Sequence, residues 1–197
     1  SQFDYDLKVS LENEAKFQFN QAFEKSDVQA KLGLSNRKFI NYTKKNIIID
    51  PNIIFLLNKL SQSINSIYGF TPNGVHAINS GPCGAFANEF FMLWNSRFIN
   101  KVEIGFVMRI NPYQSKHVFI KLPNNQLFDG GRGVYNENID NQKDTELIIM
   151  KKYDLKTLDK HSWGLTSRDY KKCPNFSIRK TSEVVAKYLD EIYFALS

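Results

Sequence analysis

The stretch NSGPCGAFANEFFMLWNSRF (residues 79–98) sets a cysteine between Pro82 and Gly84 at the start of an apolar run. Gly81 and Pro82 fit a helix start, and Phe86, Phe90, Leu93, Trp94 and Phe98 then recur at three- and four-residue steps, the spacing of one buried helix face. Cys83 therefore falls in the first turn. Unpaired N–H groups and the positive end of the helix dipole favour a thiolate there, the form in which a cysteine is a nucleophile. A free cysteine is also a common small core residue, so the neighbourhood has to decide between the two.

Upstream, DPNIIFLLNKLSQSINSIYGF predicts a helix with Asp50 as N-cap, Pro51 in the first turn and Gly69 as terminator. Earlier still, LENEAKFQFNQAFEKSDVQAKLGL is helical in composition, with Gly33 as a stop. Downstream, KVEIGFVMRI reads as a strand, NPYQSK as a polar turn, HVFIKL as a second strand, PNNQ as a turn and LF as a short strand ending at DGGRGV. TELIIMKKY reads as a further strand and DLKTLDKHSW as a short helix. TSEVVAKYLDEIYFAL reads as a terminal helix capped by Thr181 or Ser182. A helix followed by antiparallel strands places the chain in the α+β class. With 197 residues, 42% of them hydrophobic and 16 of them Phe, one globular domain over 1–197 is expected. Its parts would be a helical N-terminal extension (1–50), a core (51–153) and a C-terminal helical segment (154–197).

His117 and Asp129 sit on the two strands joined by the turn at Asn124-Asn125. Antiparallel neighbours lie about 5 Å apart, so the start of one strand and the end of the next meet at one edge of the sheet. A helix whose N-terminus packs on that edge would bring Cys83 to His117, a base, with Asp129 as its orienting acceptor. Glycines at 130, 131 and 133 would allow close backbone approach or positive φ. His76 and His161 are the competing bases; the neighbouring Asp129 singles out His117. Cys173, in KKCPNF, reads as structural, and Asp129 could also be a turn residue before Gly-Gly.

The pattern GPCGAFANEFFMLWNSRF … SKHVFIKLPNNQLFDGGRG resembles the core of the transglutaminase-like branch of the papain-like cysteine enzymes, over residues 79 to 134, about a quarter of the chain. The resemblance implies a papain-like fold, with the cysteine at the N-terminus of a central helix packed on an antiparallel sheet. It implies thiol-based acyl transfer with Cys83 as nucleophile, His117 as base and then acid, and Asp129 as orienter. That group includes proteases, protein deamidases, transglutaminases and amide hydrolases, several of them bacterial effectors. Two positions depart from papain-like proteases: Ala77 stands where their Gln would be, and Gly84 follows the cysteine in place of an aromatic residue. Asn79, with the Cys83 backbone N–H, is then the expected oxyanion donor.

The substrate expected is a protein or peptide, and protease, deamidase and transglutaminase readings stay open. So do an acyltransferase with a thioester donor and a basic binding module with an inert thiol. The formal charge of +6 is spread over lysine pairs rather than one block, which argues against a nucleic-acid partner. No apolar run reaches the roughly 18 residues of a membrane span, and SQFDYDLKVSLENEAK lacks the regions of a signal peptide. A monomer is expected, cytoplasmic or delivered into a host cell without such a peptide. The two cysteines fit a reducing compartment, and no metal site or phosphate loop is legible, so no cofactor or metal is expected.

Overall fold

The computed structural model describes residues 42–139, 143–162, 165 and 170–196. Most of the expected N-terminal helical extension, including the helix read at 11–34, lies outside them. Its described remainder, 42–50, carries no helix and pairs once through Lys45 with Phe98.

Helix α1 (Pro51–Tyr68) begins and ends as the sequence predicts: the Asp50 carboxylate accepts from Ile53 N, and Gly69, at φ 72°, closes the last turn through Asn65 O. A single 3₁₀ turn, Ala77–Asn79, leads into α2 (Cys83–Arg97). Five strands follow or interleave: β1 (Glu103–Ile110), β2 (Tyr113–Lys121), β3 (Leu127–Asp129), β4 (Gly133–Tyr135) and β5 (Thr145–Met150). They form one sheet in the order β4-β3-β2-β1-β5, with every neighbour antiparallel. Helices α3 (Leu155–His161) and α4 (Ile178–Ala195) complete the described chain, which is α+β.

Helix α2 is central. Its first two turns are buried almost all round, since it packs on the sheet on one side and on α4 on another. Phe86, Phe90, Trp94 and Phe98 stack along it with successive ring centroids 6.3, 5.6 and 4.6 Å apart. Phe90 also lies 4.7 Å from the Phe128 ring, one residue before Asp129. This aromatic file, each ring no more than 1% exposed, carries the expected core stripe. Burial of such rings is worth roughly 1.5–3 kcal/mol each. It also sets the start of α2 against the end of β3.

Three local readings differ from the structure. The NPYQSK turn is only Asn111-Pro112; Tyr113, Gln114 and Ser115 pair with Ile110, Arg109 and Met108, so β2 starts four residues before His117. Polar composition hid this, because an edge of the sheet open to water tolerates polar strand residues when the backbone ladder continues. Lys116 is the extra residue between the Val107–His117 and Met108–Ser115 pairs, a β-bulge directly before His117 that re-aims the side chains around it. The terminal helix starts earlier than read: Ser177, not Thr181 or Ser182, accepts from Lys180 N, while Thr181 is fully buried against the Tyr68 hydroxyl at 2.7 Å. Strand β4 was not anticipated, three residues being too short for a periodic signal.

No helix among the described residues is long and apolar enough to cross a membrane.

Candidate active site

The packing of α2 on β3 puts Cys83, His117 and Asp129 in one place. His117 Nε2 lies 2.9 Å from Asp129 Oδ2. The Cys83 side chain lies close enough to the same imidazole to favour its protonated form. With Nε2 taken by the carboxylate, Nδ1 is the nitrogen left for the thiol. Among the described residues neither His76 nor His161 has such partners: the His76 ring leans on Phe70, and the His161 ring on Phe106. Cys173 is 2% exposed in a small cluster with Ala77 and Tyr170, where burial pushes its thiol up to about 11.

Asp129 is 2% exposed and fully engaged. Its Oδ1 accepts from Asn79 Nδ2 at 2.9 Å, Gly131 N at 3.0 Å and Arg132 N at 2.7 Å. Its Oδ2 accepts from His117 and from Arg132 through Nε and Nη2, both at 2.7 Å. Burial alone would raise this carboxyl, but the hydrogen bond and charge of His117 and the charge of Arg132 outweigh it and hold the group below the usual carboxylate range. The converse holds for His117. Burial would lower it, yet Asp129 and then Cys83 raise it, up to about 10. The proton therefore rests on the imidazole at neutral pH.

Arg132 was not singled out from the sequence. Its guanidinium stands 3.8 Å over the Tyr135 ring, and Nη2 donates to the Tyr135 hydroxyl at 2.7 Å, so the fork that holds Asp129 is itself held. The loop between them is fastened from α1. Ser61 Oγ donates to Gly130 O at 3.0 Å and to Gly131 O at 2.8 Å, Asn65 Nδ2 donates to Gly131 O at 2.8 Å, and Asn58 Oδ1 accepts from Val134 N at 2.9 Å. Positions 58, 61 and 65 form a polar stripe at helical spacing beside the apolar face of α1, the signal from which they could have been found. The glycines behave as expected: Gly133 takes φ 78°, and a Cβ on Gly131 would stand 2.6 Å from both Asn79 Nδ2 and His76 Cβ.

Asn79 reaches the site, with its amide nitrogen on Asp129; its Oδ1 is buried without a hydrogen-bond partner among the described residues. Cys83 and Asn79 line a cleft of about 830 Å³, whose other walls come from the β1–β2 hairpin and from residues 170–172. Such a volume accommodates a side chain with its flanking backbone. Among the described residues, no group of three or more His, Cys, Asp or Glu side chains is arranged to hold a metal ion.

No protein-family model matches the chain, and neither a curated protein nor a solved structure matches it.

Proposed function

We propose that this chain is a thiol-dependent acyl-transfer enzyme of the transglutaminase-like, papain-like type, acting on amide bonds of a protein or peptide. The observation that carries the reading is the unbroken contact from Cys83, at a helix start on an open cleft, through His117 to the buried Asp129. The order of the elements, a central helix begun by the cysteine and packed on an antiparallel sheet, supports a papain-like core.

In this reading the Cys83 thiolate attacks the amide carbon, forming the C–S bond and moving an electron pair onto the carbonyl oxygen. Collapse of that intermediate breaks the C–N bond. The leaving amine takes the proton already resident on His117, which leaves a thioester and a neutral imidazole. His117 then accepts a proton from the attacking water or amine, the C–S bond breaks and the thiolate returns. Asp129 keeps Nε2 of the imidazole oriented and stabilises its charge throughout. For the oxyanion, the backbone N–H of Cys83 is free of an intrahelical acceptor by its place in the first turn. Asn79 is tied to Asp129 and takes on a second task, steadying that carboxylate.

The test is the rate of Cys83 carbamidomethylation by iodoacetamide at pH 7, read by peptide mass spectrometry. We expect His117→Ala to slow it by about tenfold or more; equal rates in the two proteins overturn the reading. Candidate substrate proteins incubated with the wild type should show Gln residues gaining about one mass unit, cross-links or cuts, all absent with Cys83→Ala.

A further inference from the structure

The walls of the cleft carry a charge pattern of their own. Arg109 and Lys116 come from the β1–β2 hairpin, Lys171 and Lys172 from the segment after Tyr170, and all four are exposed; among the described residues that line the cleft there is no carboxylate. Of the acids nearby, the charge of Asp159 acts on the cleft-lining Tyr170. Asp129 is enclosed and neutralised by His117 and Arg132, and Glu146, paired opposite Met108, lies near the Tyr113 hydroxyl. With 20 acidic residues in the chain, four cations and no carboxylate among the described residues lining the cleft make a local separation of charge. Within a concave site such charges focus a positive field on whatever approaches the thiol.

The cations come from two stretches that both border the turn carrying Cys83. The hairpin reaches it through the contact of His117 with Cys83, and the second stretch through the Tyr170 ring, which packs against Gly81. Charge thus comes to the cleft from two different stretches of chain. A compact polyphosphate would call for donors converging on one point, as in a Gly-rich loop, and no such loop is present in the sequence. An extended chain with carboxylates before and after the reacting residue matches two pairs of cations supplied by different stretches of chain.

We infer that the cleft recognises an acidic stretch of a polypeptide, with Asp or Glu side chains flanking the residue whose amide is attacked; this rests on the acyl-transfer reading above. Recognition of this kind is tolerant of sequence and sensitive to salt, because the cations are exposed and act through the field more than through fixed hydrogen bonds.

The experiment compares alkylation of Cys83 by anionic iodoacetate and by neutral iodoacetamide, each relative to free cysteine. We expect the iodoacetate-to-iodoacetamide ratio to exceed that of free cysteine by about fivefold or more at low salt. It should fall toward the free value in about 0.5 M NaCl and in the double variant Lys171→Gln, Lys172→Gln. A Glu-rich peptide with one central Gln should slow iodoacetamide labelling, and a peptide with Ser in place of Glu should not. A ratio equal to that of free cysteine, with iodoacetamide labelling still dependent on His117, overturns the acidic-substrate inference and leaves the enzyme reading standing. Labelling indifferent to His117 overturns the enzyme reading itself. Protection by coenzyme A but not by the Glu-rich peptide overturns the polypeptide assignment in favour of a phosphate-bearing acyl donor.

Discussion

His117 and Asp129, on neighbouring antiparallel strands, face each other at 2.9 Å, with side chains only 12% and 2% exposed. A charged pair so withdrawn from water persists because the carboxylate is saturated with donors: its hydrogen bonds from Asn79, Gly131 and Arg132 offset the cost of burying it. The pair is therefore both a structural fastening and the electrostatic centre of the site.

Its first consequence is a pH dependence of stability. The folded-state value of His117 lies at about 10, above the roughly 6.5 of an unfolded chain, so its contribution is complete below about pH 6.5 and is lost as pH rises toward 10. Asp129 is held low, so its contribution is present above about pH 4 and is lost as pH falls further. Urea unfolding at pH 7 and pH 9.5 should show a loss in wild type that is larger, by on the order of 1–3 kcal/mol, than the loss in His117→Gln. Parallel pH profiles in the two proteins would refute the coupling.

Arg132 gives a second prediction. Arg132→Met removes two donors from Asp129 while keeping much of the side-chain volume over Tyr135. Since the guanidinium side chain is 27% exposed, we expect a loss of about 1–3 kcal/mol in chemical denaturation, with slower alkylation of Cys83 in the folded protein. Arg132→Lys should recover only part of this, because an ammonium cannot reproduce the planar fork.

The fastening of the Gly130–Gly133 loop by α1 is testable away from the thiol. Ser61 is 3% exposed and its hydroxyl serves two carbonyls. Ser61→Ala should cost about 1–2 kcal/mol by leaving buried acceptors poorly satisfied. A thermal scan that leaves the transition unmoved would argue that the loop is held by Asn65 and Asn58 alone.

Gly131→Ala should be worse than its size suggests. The new Cβ would meet Asn79 Nδ2 and His76 Cβ at 2.6 Å each, so the loop must shift away from both. We expect about 1–3 kcal/mol of destabilisation and a smaller effect of His117→Ala on Cys83 alkylation in this background, because Asp129, two residues earlier, moves with the loop. Full retention of that dependence would show that the carboxylate is positioned independently of the loop.

The elements whose signals are local were legible in the residues themselves. Asp50, Pro51 and Gly69 bound α1 through capping chemistry that acts within one turn, and Phe86, Phe90 and Trp94 mark α2 by spacing alone. Asn125, at φ 69°, makes the β2–β3 turn that pairs Ile120 with Phe128 and so sets His117 and Asp129 on adjacent strands. The remainder came from contacts between elements distant in the chain. The bulge at Lys116 and the early start of β2 depend on pairing with β1, which no residue of β2 announces. That Arg132 grips Asp129, that Asn79 turns its amide to the same carboxylate, and that Ser61 and Asn65 tie down Gly131 are contacts between elements. The charge separation in the cleft has the same origin. Lys171 and Lys172 read in sequence as one more solvated pair, and become half of a basic wall because Tyr170 packs on Gly81 beside Cys83. Local propensity places helices and turns; long-range packing decides which side chains share a site, because that depends on distances no stretch of sequence contains.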